Sequence, residues 1–113
     1  MSGKVKTKGE PVLTGRNAYI ARLRAGETVS FREGGNSMTP RIKSRQTCTY
    51  VPVLKASDVQ VGDAVFCKVG GNYFTHLITA VRGDQYQIGN NHGHVNGWIT
   101  LDGIFGKVIK VEN

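Results

Sequence analysis

A mainly β fold, a small folded-over sheet or partial barrel led by one short helix, is what this chain predicts. Three observations predict it. Gly is frequent and Pro scarce, 15 against 3 in 113 residues, which suits many tight turns better than a helical bundle. Some seven short segments rich in β-branched and aromatic residues follow one another at close spacing. A helical pattern is confined to one stretch near the start.

Taken in order, residues 1–13 read as a flexible basic arm of Lys, Gly, Ser and Thr with Pro11. Residues 14–113 read as a single β domain. Thr14 is placed to cap a helix over Arg16 to Arg24, with Tyr19, Ile20 and Leu23 on one face and Gly26 ending it. Thr28 to Arg32 alternates as a strand, and Thr47 to Leu54 does so loosely. Ala64 to Val69 and Tyr73 to Val81 form a hairpin across Gly70-Gly71-Asn72. Gly83-Asp84 turns the chain into Gln85 to Ile88. Gly89 to Gly97 reads as a polar loop, and Trp98 to Leu101 and Ile104 to Val111 as the last two strands. No internal repeat is visible.

Length bounds the chain to one domain. At 39% hydrophobic residues it lies far above a disordered composition. No apolar run approaches the ~20 residues that span a membrane, and Met1 to Lys8 lacks the apolar core of a signal peptide. Cys48 and Cys67 make no disulfide scaffold, so a reduced, cytoplasmic setting is expected. The net charge of +7 is concentrated in residues 1–24 (+5) and 25–45 (+2). Such a front end suits contact with nucleic acid or an acidic partner, or simply a solvated tail.

One segment stands apart in chemistry: Gly34-Gly35-Asn36-Ser37-Met38-Thr39-Pro40. A small polar residue where strand becomes turn can expose a hydroxyl beside backbone N–H groups aimed at a bound carbonyl. A serine hydroxyl is a weak nucleophile and needs a base. His76, inside Phe74-Thr75-His76-Leu77-Ile78, is the candidate, as either a placed base or a packed core residue.

The box Gly35-Asn36-Ser37-Met38-Thr39-Pro40 resembles the Gly-x-Ser-Met-x-Pro box of the type I signal peptidase and LexA-like serine protease superfamily. Four further segments follow in the family's order. Val61-Gly62-Asp63-Ala64-Val65 resembles its Gly-Asp-x-Val strand start. Thr75-His76-Leu77-Ile78 is similar to the His-Arg-Ile segment of the archaeal and endoplasmic-reticulum branch, and Ile88-Gly89-Asn90-Asn91 to that branch's Gly-Asp-Asn. Ile104-Phe105-Gly106-Lys107-Val108 resembles the closing strand. The resemblance spans about residues 28 to 111 and implies the family's compact, mostly β core.

The resemblance implies Ser37 as nucleophile and His76 as general base, where many members use lysine. It implies an oxyanion hole built around the Ser37 N–H, with Gly35, Asn36 and Met38 beside it. It also places aspartates after the histidine. Here Asn90 stands at the first of those places and Asn96, by spacing, near the second. Asn90 is the expected third member; Asn96, Asp84 and Asp102 are the alternatives. An asparagine can orient an imidazole but does not stabilise its cation as a carboxylate does. Leu77 replaces the family's arginine.

No cofactor is implied. His92 and His94 with a cysteine match no standard zinc spacing, so no metal is expected. Cys48 and Cys67 read as small core residues, Trp98 as a core aromatic, and Gly89 to Gly97 as a loop or a flap beside the site. The expected function is a serine endopeptidase-like domain without a membrane anchor, acting on a partner polypeptide or on its own arm. A small, phage or mobile-element type of protein fits that size. The alternative is a weakened or inactive member of the fold, serving as a protein- or nucleic-acid-binding module. The oligomeric state stays open.

Overall fold

The computed structural model describes residues 15–32, 38–39, 41–43 and 45–113. The arm over 1–13 and the Thr14 cap lie outside them. Helix α1 spans Gly15–Arg24. Its Leu23 is fully buried, and Tyr19 and Ile20 pack against the same core. The helix closes through two bonds: Gly26 N–H donates to the Leu23 carbonyl (3.0 Å) and Glu27 N–H to that of Arg22 (2.9 Å). Arg24 ties α1 to the sheet by donating to the Asp102 carbonyl at 2.8 Å. A Cβ at Gly106 would meet the Leu23 methyls at 3.0 and 3.1 Å, so the glycine makes room for that leucine.

The strands are β1 (Val29–Arg32), β2 (Thr47–Pro52), β3 (Ala64–Val69), β4 (Asn72–Arg82), β5 (Gln85–Gly89), β6 (Val95–Thr100) and β7 (Ile104–Glu112). They form one antiparallel sheet in the order β1-β2-β7-β3-β4-β5-β6. The sheet is a half-barrel, with β1 and β6 as its end strands. β7 inserts between β2 and β3, so the central strands of the sheet are far apart in sequence.

β3 starts and ends where the sequence predicts. β6 does not: it begins at Val95, inside the stretch expected to be loop, because Val95 pairs with Gly89 across the sheet. Leu101, expected in that strand, belongs instead to a 3-10 turn over Leu101–Gly103.

Both faces of the sheet are covered, and β3 shows how. Ala64 and Phe66 join a core with Leu23, Met38, Ile42, Tyr50 and Phe105. Val65, Cys67 and Val69 point the other way, into an aliphatic core with Ile78, Ile88 and Ile104. That double burial accounts for the nearly continuous apolar run of β3. Cys48 and Cys67 are both buried, one in each core. In the first core Phe31 stacks between Tyr19 (4.3 Å, 4°) and Tyr50 (4.5 Å, 11°). The Tyr50 hydroxyl shares a buried 2.8 Å bond with that of Thr75, worth about 0.5–1.5 kcal/mol net. Trp98 is half-buried, with the Arg82 guanidinium 4.5 Å from its ring centre. Among the described residues, no helix is long and apolar enough to cross a membrane.

Candidate active site

Ser37, Gly35, Asn36 and Pro40 lie outside the described residues; Met38 and Thr39 lie within them. Met38 is buried in the aromatic core, and its carbonyl accepts the Ile42 N–H at 2.9 Å. Three contacts tie this turn to the rest of the sheet. The Thr39 carbonyl accepts from Asn91 Nδ2 at 3.0 Å, and its hydroxyl lies 3.2 Å from His92 Nε2. Arg41 donates to the Gly62 carbonyl at 2.8 Å. Gly62 N–H in turn donates to the Ile78 carbonyl, and Ile78 N–H to that of Asp63. The turn that follows Ser37 in sequence is thus laced both to the β5–β6 loop and to β4 just beyond His76.

His76 stands on β4 opposite Val65. Its position is only 6% exposed. Strand periodicity puts Phe74 on the same face, and the two rings stack at 4.6 Å and 22°. The Nδ1 atom lies 2.6 Å from Asn96 Oδ1. An amide oxygen only accepts, so Nδ1 carries the hydrogen and donates it. In neutral imidazole that leaves the lone pair on Nε2. Burial pushes the His76 pKa below its ordinary value; the Asn96 bond opposes this, and nearby His94 adds to it. The outcome is a neutral, oriented imidazole with a basic Nε2, the form a general base requires.

Asn96 reaches His76 through an irregularity in β6. Ile88 pairs with Gly97 and Gly89 with Val95, leaving Asn96 as the extra residue between them. Such bulges re-aim a side chain. Gly89 takes part directly, since a Cβ there would lie 2.7 Å from the His94 carbonyl oxygen.

The other expected third members sit elsewhere. Asn90 Oδ1 accepts the backbone N–H groups of His92 (2.8 Å) and His94 (3.0 Å), and its own N–H donates to the His94 carbonyl. Asn90 therefore shapes the loop, while Asn96 holds the imidazole. Asp84 lies in the turn beyond Arg82, roughly 20 Å along β4 from His76 at ~3.3 Å per residue. Asp102 lies at that same end, where both aspartates line a surface cavity of about 370 Å³ with Tyr86 and Thr100. Among the described residues, no three His, Cys, Asp or Glu side chains are grouped to hold a metal ion.

Two features of this site leave only a faint trace in the residue order. The Asn96 pairing depends on the bulge, and its only local trace is the Asn-Gly step before Trp98. The Phe74–His76 stack is an i, i+2 pair, which strand periodicity alone points to.

The described chain is thus a mainly β half-barrel carrying a buried imidazole oriented by an amide. No protein-family model matches the chain, and neither a curated protein nor a solved structure matches it significantly.

Proposed function

We propose that the protein is a serine endopeptidase-like domain built on the signal peptidase and LexA-like β fold, cleaving a partner polypeptide or its own N-terminal arm. The observation that carries the reading is the His76–Asn96 pair: a buried imidazole donating through Nδ1 at 2.6 Å and basic at Nε2. In this reading Nε2 takes the proton from the Ser37 hydroxyl as its oxygen attacks the scissile carbonyl. The imidazolium then returns that proton to the leaving amine. The backbone around Gly35, Asn36, Ser37 and Met38 supplies the oxyanion donors. Further support comes from the tethering of Met38–Thr39, next to Ser37 in the chain, to the loop that leads into Asn96.

Asn96 is neutral, so it orients the base without balancing the imidazolium charge. Turnover well below that of a carboxylate triad follows: in the serine protease template the aspartate-to-asparagine change costs about 10⁴. The test is labelling with a fluorophosphonate probe, together with mass analysis of the intact chain over time. Wild type acquires the label or shortens; Ser37→Ala does neither and keeps its thermal midpoint. Cleavage or labelling that persists in Ser37→Ala overturns the reading.

The missing carboxylate also favours a second reading, in which the fold binds rather than cleaves. The basic residues over 1–45 would then contact nucleic acid, and affinity would fall by about 0.9 log units per phosphate contact for each log unit of salt on duplex DNA. Salt-independent binding argues against it.

A further inference from the structure

On the aromatic side of the sheet lies a cavity of about 300 Å³, at the small end of the range for ligand sites. Tyr19, Phe31, Tyr73 and Phe74 line it, with Arg16 and Arg32 as its charged members. Phe66 lines it as well and is buried; the other four aromatics are half-buried and the two arginines exposed. Arg16 lies 4.5 Å from the Tyr73 ring centre, and Lys68 approaches the same ring at 5.3 Å. No acidic side chain among the described residues lines the cavity. Its lining is therefore aromatic and cationic.

Two observations indicate what would occupy it. Phe31 and Arg32 belong to β1, the end strand of the sheet, whose outer edge offers backbone groups to an extended chain. Its charged lining side chains, Arg16 and Arg32, are both cationic, which suits a segment that carries carboxylates. We propose that this cavity anchors a peptide segment in which an aromatic residue is flanked by acidic ones. The aromatic ring enters among Tyr19, Phe31 and Tyr73, and the carboxylates meet Arg16 and Arg32. The inference rests on the peptidase reading for one point only, that this segment belongs to the substrate.

The experiment uses the full-length Ser37→Ala protein, so that binding requires no chemistry. The ¹⁵N-labelled protein is titrated with acetyl-Gly-Glu-Phe-Glu-Gly-amide. Saturable shifts at the amides of Arg16, Tyr19, Phe31 and Tyr73 are expected. The same peptide with lysines for its glutamates binds at least about tenfold more weakly, as do Arg16→Glu and Arg32→Glu. Both variants change exposed side chains, and thermal midpoints check that they fold. Arg82→Glu carries the same charge change at the Trp98 site and leaves the affinity within about twofold. Shifts absent from the cavity, or equal binding of the lysine peptide, overturn the assignment. So does an eight-residue oligothymidylate that binds the cavity more tightly than the peptide, which would make the site one for nucleic acid. If the peptide binds as expected but wild type cleaves nothing, the peptidase reading falls and this inference stands. If wild type cleaves but the peptide leaves the cavity unperturbed, the reverse holds.

Discussion

The two ends of the β4–β5–β6 meander differ in what they do with their polar residues. At one end His76 is buried, stacked on Phe74 and bonded to Asn96, and Asn90 closes the loop beside it. At the other, Asp84 and Asp102 stand exposed around a shallow cavity with Tyr86 and Thr100. The carboxylates that would best steady an imidazolium lie where no histidine needs them. The histidine has an amide instead. That arrangement favours the neutral imidazole and leaves its protonated form without a balancing charge.

The comparison is broken or sharpened first by the two asparagines. On the proposed peptidase reading, Asn96→Ala removes the orienting bond and should lower cleavage about 10²-fold, the order of loss from misplacing a catalytic group. Asn90→Ala frays the loop and should cost far less. Equal losses would dissolve the distinction drawn between them. Asn96→Asp gives a separate readout that loss of structure would not mimic. A carboxylate there should raise the acid limb of the pH–rate profile by about one to three pH units and increase turnover at neutral pH.

Backbone geometry gives the next largest effect. Gly89→Ala forces a methyl against the His94 carbonyl at 2.7 Å. It should destabilise the fold by about 1–3 kcal/mol, measured by urea unfolding. A neutral result would mean that the β5–β6 loop gives way freely and does not hold Asn96.

The pH dependence of stability is smaller, and its sign is fixed. Burial lowers the His76 pKa below its unfolded value of 6.5. Between the two values the unfolded state binds more protons than the native one. Stability from this group is therefore complete above 6.5, declines as pH falls toward the folded value, and levels off below it. Urea midpoints between pH 8 and 5 should fall in wild type, and the decline should shrink in His76→Gln. An identical decline in both would trace the effect to other groups.

The smallest effect belongs to the far end. Asp84→Asn with Asp102→Asn should leave cleavage within about twofold, since exposed charges so far apart are screened. A large loss would place those carboxylates in the mechanism after all.

Much of the fold is legible from local pattern. The apolar run of β3, the Gly-Gly-Asn turn and the Tyr19–Ile20–Leu23 face of α1 each depend on near neighbours, and the structure follows them closely. The site is less legible. His76 stands out as a histidine amid apolar residues, whereas Asn96 is reached only as an alternative to Asn90, because the choice between them arises from the β5–β6 register. Nor does the sequence hint that Tyr19, Phe31 and Tyr73 meet, since they come from a helix and two strands that only the sheet order brings together.

The sequence by itself determined the class of fold, the approximate place of each strand and the residues with chemistry to offer. Those follow from periodicity and turn residues, which act over a few positions. Only the tertiary structure decided which amide orients the imidazole, where the aspartates lie and what surrounds the aromatic cavity. These depend on β7 inserting between β2 and β3 and on one extra residue in β6. Strand pairing of that kind is set by the burial of both sheet faces at once, a property of the whole chain rather than of any segment.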